Sequence, residues 1–185
     1  MIHELKEIIY QAIINQQKGL KNTLASVVHL DGSSYRKPGV RMLISEDLSA
    51  VGAVSGGCVE KEIILRAKSV FRDHKPKVIS YDGRYRLGCE GILYILIEPF
   101  YISDEFISEF HKATLKREAL KIESTFEKED EAFGNFGTKI TLENKKEFSF
   151  STTYLLNSKD ENDTFTQILQ PAFRLIIIGG EHDAV

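Results

Sequence analysis

The sequence predicts an α+β protein: a mixed sheet with flanking helices, followed by a more polar antiparallel β segment. Three observations support this class. Apolar residues recur at helical spacing near the start and again after residue 59, where they mark amphipathic helices. Short runs rich in β-branched residues alternate with clusters of turn formers in the first hundred residues. Beyond residue 119 the strand-like runs become polar on one face, which is typical of an antiparallel sheet with one solvated side.

The first elements follow from local signals. A helix is predicted over the first turns and ends before Gly19, and a strand is predicted for residues 23–30. Two short strands follow at residues 40–45 and 50–55. A second helix begins after Gly57, with Glu60 and Glu62 near its start and Arg72 near its end, as the helix dipole favours. The apolar positions of the first helix are Ile2, Leu5, Ile8, Ile9, Ala12 and Ile13.

The later elements are predicted in the same way. Residues 77–81 form a strand, and the almost continuous apolar run 92–100 indicates a central buried strand. Ser103 is expected to cap a helix that runs to about Ala119. The polar, two-faced strands are predicted at residues 120–128, 138–143, 146–156 and 164–169. We therefore divide the chain into a first domain (1–100), a connecting α+β segment packed on it (101–170) and a terminal piece (171–185).

The terminal piece contains the run RLIIIGGEHDAV, in which a buried strand leads into glycines. This is the usual opening of a strand–turn–helix dinucleotide-binding unit, but a parallel unit needs a crossover of a dozen or more residues. We expect residues 171–185 to be the first strand of a truncated Rossmann-type domain. Glu181 stands where a G-x-G turn needs its second glycine, so we do not expect this chain to bind NAD(P).

The composition argues against binding to nucleic acid and against a membrane-spanning or secreted protein. The 185 residues carry a net charge of −3, which gives no general attraction to nucleic acid or to an anionic membrane. No apolar run approaches the ~20 residues of a membrane span, and the N-terminus lacks the features of a secretory signal. We expect a cytoplasmic protein whose two cysteines are reduced thiols, with a structural disulfide as the less favoured alternative.

The segment SGGCVE, residues 55–60, places Cys58 after two glycines at the predicted mouth of a helix. Gly56 and Gly57 permit positive φ or close backbone approach. Unpaired amides at a helix N-terminus bind anions and lower the pKa of a nearby thiol. The segment therefore suits a thiolate that meets a soft metal, a sulfur atom or an electrophile beside a phosphate. The alternative is a small cysteine buried under a glycine turn.

Two further turns combine cations with glycine. The segment DGSSYRKPGVR, residues 31–41, carries hydroxyl groups and cations on what we expect to be a tight loop. Arginine binds phosphate or carboxylate bidentately. The segment RYRLGCEG, residues 84–91, repeats the pattern around Gly88 and Cys89. Together the three turns indicate an anionic, sulfur-linked ligand, although a solvated basic hairpin explains residues 31–41 equally well. The histidines show no zinc-ligand spacing with the cysteines.

Three blocks, GSSYRKPGVRMLI, VGAVSGGCVEKEI and LGCEGILYILIEP, resemble the XdhC/CoxI-type xanthine dehydrogenase accessory factors over about residues 5–100. The resemblance implies an α/β domain joined to a C-terminal Rossmann-type domain. It also implies an accessory protein that binds molybdenum cofactor, protects it, helps to sulfurate it and delivers it to a molybdenum hydroxylase. Residues 101–170 contain no segment that matches the family.

On this resemblance, the thiols of Cys58 and Cys89 face the molybdenum–dithiolene end of the cofactor, as the two candidate metal contacts. Arginines and turn amides hold the pterin phosphate. The residues expected to bind the cofactor are Ser34, Tyr35, Arg36, Arg41, Ser55, Gly56, Gly57, Cys58, Gly88 and Cys89. The implied partners are a xanthine dehydrogenase-type molybdenum hydroxylase, a cysteine desulfurase and a second copy of the chain in a homodimer.

Two other functions remain open at this point. One is a small thiol-dependent oxidoreductase or transferase with Cys58 as nucleophile. That function needs a base near the thiol, whereas the sequence supplies Glu60 and Glu62, whose negative charges raise the pKa of a thiol. The other is a non-catalytic scaffold or oligomerisation domain. The accessory protein, without turnover of its own, is the preferred interpretation.

Overall fold

The structure is a computed structural model that describes residues 2–55, 57, 59–85, 91–154 and 162–176. Three helices and nine strands fall in these ranges, together with one turn of 3₁₀-helix at Gly83–Tyr85. The helices are α1 (Ile2–Gln17), α2 (Glu60–Asp73) and α3 (Asp104–Lys116). The strands are β1 (Asn22–Asp31), β2 (Arg41–Ser45), β3 (Ala50–Gly52), β4 (Lys77–Asp82), β5 (Ile92–Phe100), β6 (Leu120–Phe126), β7 (Gly137–Thr141), β8 (Glu147–Ser149) and β9 (Asp163–Leu169).

The predicted α+β class is confirmed. The strands form a five-stranded sheet in the order β3-β2-β1-β5-β4 and a four-stranded sheet in the order β8-β7-β6-β9. Every strand pair in the described residues is antiparallel, where the sequence predicted a mixed sheet. No described helix has both the length and the apolar character that crossing a membrane requires.

Each face of the five-stranded sheet is covered. Because successive side chains of a strand point to opposite faces, Ala25 and Val27 of β1 pack towards α2, in a core that also contains Ile63 and Ala67 of that helix. Leu24 points to the other face, where α1, α3 and the second sheet meet in one large apolar cluster. Phe150, which follows β8, is fully buried in that cluster.

A buried carboxylate joins the two sheets. Glu98 of β5 is 0% exposed, and it accepts hydrogen bonds from the backbone N–H of Thr138 at 2.9 Å and from its hydroxyl at 2.5 Å. The Thr138 hydroxyl lies 2.9 Å from that of Ser124 on β6. Burial raises the pKa of Glu98 to about 7, although Thr138 and the positive charge of Arg41 lower it in part. The polar network therefore links β5 to β7 and β6.

Some predicted elements change in length. The strand expected at residues 50–55 ends at Gly52, and the one expected at 146–156 covers only Glu147–Ser149. The helix expected to reach Ala119 ends at Lys116, because Arg117 adopts a left-handed conformation that closes its last turn. Residues 171–176 lie outside any strand, and residues 177–185 are outside the described ranges. The predicted domain boundaries and the terminal Rossmann-type strand therefore stay predictions.

Candidate functional site

Three turns that carry the candidate residues lie at one edge of the five-stranded sheet. Because neighbouring strands are antiparallel, β1, β3 and β4 end at this edge, and β2 and β5 begin there. This edge therefore carries the loop 32–40, the segment that starts at Ala53, and the turn between β4 and β5. Asp31, at the end of β1, pairs with Ile92, whereas Arg41, at the start of β2, pairs with Ser26. The loop 32–40 therefore runs back along β1 from Asp31 towards Ser26.

The loop 32–40 presents an aromatic ring beside a guanidinium group. Tyr35 is 82% exposed, and the Arg36 guanidinium carbon lies 5.8 Å from the centre of its ring. Ser34 and Arg36 are half-buried. The Nε atom of Arg36 is buried and has no hydrogen-bond partner within the described part of the chain. The loop therefore presents one exposed aromatic face beside a half-buried guanidinium group.

Arg41 differs from the sequence expectation of a loop cation. It is the first residue of β2 and only 8% exposed. Its Nη1 donates to the carbonyl of Gly39 at 2.8 Å and to Oε1 of Gln167 on β9 at 2.7 Å. Burial lowers its pKa to about 10, against the raising influence of Glu98 and Glu4, so it keeps its charge at neutral pH. Its Nε and Nη2 have no hydrogen-bond partner among the described residues.

A cavity of ≈ 250 Å³ lies against these two arginines. Glu4 and Glu7 of α1 also line it, as does Ala53, which lies two positions before the SGGC segment. The remaining lining residues are Val40, Val51 and Gly52. We call it the arginine–glutamate pocket and define it by Glu4, Glu7, Arg36 and Arg41.

The start of α2 is arranged differently from the predicted anion site. Glu60, the first helical residue, accepts hydrogen bonds from the backbone N–H of Ser55 at 2.7 Å and from its hydroxyl at 2.8 Å. It also accepts from the backbone N–H of Val59 at 3.3 Å. Burial alone would raise the pKa of Glu60, but these hydrogen bonds hold it below its ordinary value. The carboxylate of the first helical residue therefore already binds the Val59 amide, one of the amides at the start of the helix where an anion site was predicted.

Exchanging Glu60 for glutamine should loosen this turn and make the neighbouring thiol more reactive. Weakened charge-assisted hydrogen bonds should lower the free energy of unfolding by about 1 kcal/mol. Loss of a negative charge beside Cys58 in the sequence should lower the pKa of its thiol and speed its alkylation at pH 7. Alkylation rates in a Cys89→Ala background measure this effect. Glu62→Gln is the matched control, since that carboxylate pairs with Arg66 at 2.9 Å; an unchanged rate in the Glu60 variant contradicts the expectation.

Four predicted site residues lie outside the described ranges: Gly56, Cys58, Gly88 and Cys89. Of their neighbours, Gly57 has φ +112°, which agrees with the conformational freedom expected there. Gly91, which follows the second cysteine turn, packs so close to loop 32–40 that a Cβ would lie 2.7 Å from the carbonyl oxygens of Asp31 and Ser33. The last residue before β5 thus adjoins the start of the loop 32–40. Whether the two thiols face one ligand stays a prediction.

Three residues that the fold brings to this edge were not among the predicted site residues. Glu4 and Glu7 of α1 are one turn apart and therefore share a face. Their spacing is a signal present in the sequence. Gln167, which holds Arg41 from 126 positions away, gives no such signal because only the packing of the second sheet brings it there.

Comparisons with known proteins show a related family, a related sequence and a related fold. The XdhC and CoxI family matches residues 16–82. A curated relative from Bacillus subtilis, a probable subunit of xanthine dehydrogenase, is 29% identical over 180 residues, which cover 88% of this chain and 53% of that protein. The crystal structure of a xanthine dehydrogenase from Bacillus halodurans matches with a TM-score of 0.60 at 21% identity, over 89% of this chain and 53% of that one.

The matched segment 16–82 contains β1 to β4 and α2, and hence two of the three candidate turns. The family match and the curated relative support the resemblance to the XdhC and CoxI family found in the sequence. The solved structure supports the fold. The chain spans about half the length of the relatives that it matches, 53% in both cases.

Proposed function

We propose that this protein is an accessory protein of a xanthine dehydrogenase-type molybdenum hydroxylase. In this function it binds molybdenum cofactor, protects it, helps to sulfurate it and delivers it to the enzyme. The observation that carries the proposal is the collection of the candidate turns at one sheet edge, beside two arginines with unpaired buried donors. The relative named as a probable part of xanthine dehydrogenase supports the choice of enzyme.

The residues at this edge match the chemistry of such a cargo. The cofactor carries a phosphate, a flat pterin and a sulfur-bound metal. Guanidinium groups bind phosphate with charge-assisted hydrogen bonds. The exposed ring of Tyr35 supplies an aromatic face for a planar heterocycle. Thiolates are ligands for soft metals and partners in sulfur chemistry, the function proposed for Cys58 and Cys89.

The same proposal defines the partners. The cargo passes to the hydroxylase, and a cysteine desulfurase supplies the sulfur. We propose that the chain acts in the cytoplasm as a homodimer and performs no turnover of its own. The proposed function does not use NAD(P).

Co-elution with the cofactor tests this function. The purified 185-residue chain is mixed with released molybdenum cofactor and separated from free cofactor by size exclusion. We expect the wild-type chain to carry the cofactor, and we expect Cys58→Ala and Cys89→Ala to carry at least about tenfold less, since each removes a soft ligand. Ser49→Ala, in the β2–β3 turn away from the candidate edge, is the control and should bind as the wild type does.

Two outcomes contradict the proposal. Absence of cofactor from the wild-type peak removes the binding function. Oxidation of a purine or an aldehyde by the chain alone supports instead an enzyme that uses Cys58. If the wild-type chain and both cysteine variants carry the cofactor equally, the thiols have no part in binding, and the loop cations remain to account for it.

A further inference from the structure

We propose that β9, an edge strand of the four-stranded sheet, pairs antiparallel with β9 of a second copy and joins the two sheets into one. This inference rests on the homodimer named in the proposed function and adds to it the surface and the register of the contact. β9 (Asp163–Leu169) lies at the end of the strand order β8-β7-β6-β9. Its seven residues all pair with β6 on one side, so its other side is the edge of the sheet.

The outer side of β9 presents backbone groups that can bind another strand. In an antiparallel ladder, alternate residues of an edge strand point their N–H and C=O groups away from the neighbouring strand. Within the described part of the chain, no backbone hydrogen bond reaches this side of β9. The segment after β9 turns away from the edge, because the Ala172 carbonyl accepts a hydrogen bond from Arg117, which precedes β6.

The other three sheet edges are protected in the described residues. The backbone N–H of Val78 on β4 donates to the Ala132 carbonyl at 3.0 Å, and that of Ser80 donates to the Asp130 carboxylate at 2.6 Å. The edge strands β3 and β8 are only three residues long. Covering an edge, shortening it, or placing lysine or proline on it are the usual protections against pairing. β9 has seven residues and contains neither lysine nor proline.

The sequence of β9 favours an identical strand as its partner. A two-fold axis at Thr166 places this residue opposite its counterpart and places Thr164 opposite Ile168. The only charged residue of the strand, Asp163, then lies opposite Leu169, so no charge meets a like charge. A two-fold contact of this kind is closed, and it therefore produces a dimer rather than a filament.

Pairing also covers apolar surface at the edge. Thr164, Thr166 and Ile168 are exposed on the outer face of the sheet, and Ile168 is 60% exposed. The neighbour of Ile168 on β6 is Lys121, which is itself exposed. In the two-fold pair, Thr164 of the other copy becomes the second cross-strand neighbour of Ile168, at about 5 Å. Each copy therefore removes the same apolar side chain from water.

The charges nearest the axis do not oppose the pairing. Glu123 of β6 is the cross-strand partner of Thr166. Its carboxylate already pairs with Lys121 at 2.9 Å and with Lys139 at 3.5 Å. In the joined sheet the two copies of Glu123 lie three strand spacings apart, about 14 Å. This separation exceeds the Debye length of about 8 Å at physiological ionic strength, so their repulsion is screened.

Charge exchange at Thr166 tests the pairing, because the central residue is the one that meets its own counterpart. Sedimentation velocity of the 185-residue chain gives the dimer dissociation constant, measured from about 1 to 100 µM because a contact of one strand pair is small. Thr166→Lys and Thr166→Glu should each raise this constant at least about tenfold, since like charges then lie opposite each other. An equimolar mixture of the two variants should dimerise about as tightly as the wild type, since opposite charges then meet.

Thr152→Lys is the control, because it adds the same charge at an exposed residue of the turn after β8 and should dimerise as the wild type does. A wild-type chain that stays monomeric over this range overturns the inference. Charge variants that dimerise as tightly as the wild type also overturn it, because the contact then lies on another surface. A mixture that stays monomeric overturns the register at Thr166. Circular dichroism of each variant confirms that it is folded.

The co-elution experiment separates this inference from the accessory function. If the wild-type chain is monomeric and carries the cofactor, the inference and the homodimer fail while the accessory function stands. If the charge variants behave as expected but the wild-type dimer carries no cofactor, the pairing of β9 stands and the accessory function fails.

Discussion

Replacing Glu98 with glutamine is expected to remove a loss of stability that the protein undergoes as the pH rises from 4.5 to about 7. Glu98 is fully buried between the two sheets, and burial raises its pKa to about 7. An unfolded chain releases the same proton near pH 4.5, the ordinary value. Between these pH values the folded state binds more protons than the unfolded state. The free energy of unfolding therefore falls as pH rises through this window.

The expected size is about 3 kcal/mol, because each pKa unit corresponds to about 1.4 kcal/mol. The contribution is unfavourable above pH 7 and absent below pH 4.5. Glutamine keeps an acceptor for the Thr138 backbone N–H, and its amide donates to the Thr138 hydroxyl, which then donates to Ser124. The variant should be closest to the wild type in stability at pH 4.5, the lower end of this window, and exceed it at pH 8.

Urea unfolding at intervals between pH 4.5 and 8 measures this difference. Glu105→Gln, at an exposed carboxylate, serves as the control and should keep the wild-type pH dependence. Equal slopes for the wild type and Glu98→Gln would show that Glu98 titrates at its ordinary pKa in the folded protein. In that case the hydrogen bonds from Thr138 outweigh the burial of the carboxylate.

Elements with strong local signals were predictable from the sequence. The strand Ile92–Phe100 was predicted with the bounds it has, because nine consecutive residues, most of them apolar, lie between two turns. Ser103 caps α3 as expected: its hydroxyl accepts from the backbone N–H of Phe106 at 3.1 Å. The fold class follows from such elements, since the alternation of residues along each strand already indicates which face is buried.

The polar contacts of the interior had no local signal. Glu98 was correctly placed in a buried strand, but its partner Thr138 lies 40 positions later in the other sheet. Arg41 looked like a loop cation because glycine and proline precede it, and packing of β9 buries it. At the start of α2 the sequence suggested an anion site, yet Glu60 reaches back to Ser55 and binds the Val59 amide itself. Glu98 and Arg41 depend on partners that only the assembled fold brings together, whereas Glu60 binds neighbours at most five positions away.

Exchanging Phe150 for alanine should cause the largest loss of stability of any change considered for this protein, about 3–5 kcal/mol. Phe150 is fully buried. The centre of its ring lies 5.1 Å from that of Phe100, in an edge-on contact, and 6.0 Å from that of Phe106. Its backbone N–H donates to the Thr138 carbonyl, and its carbonyl accepts from the Tyr101 N–H. Truncation removes apolar contact and leaves a cavity among residues of both sheets.

Urea unfolding followed by circular dichroism measures this loss, with Phe133→Ala as the control. Phe133 is 61% exposed, so its removal should change the free energy of unfolding by less than about 0.5 kcal/mol. Because α1, α3 and strands of both sheets share the cluster around Phe150, we expect one cooperative transition in both variants. A second transition in Phe150→Ala, with part of the signal unchanged, would show that the four-stranded sheet unfolds by itself.

The cooperativity matters for the candidate site, because the second sheet holds residues of the first in place. Gln167 of β9 fixes Arg41, and Thr138 of β7 fixes Glu98. If the sheets unfold as one unit, the weakened core of Phe150→Ala lowers the population of folded protein only through global unfolding, and affinity for the cofactor at low temperature stays at the wild-type value. Reduced affinity in a fully folded Phe150→Ala variant would instead mean that the second sheet shifts locally and carries Gln167 away from Arg41.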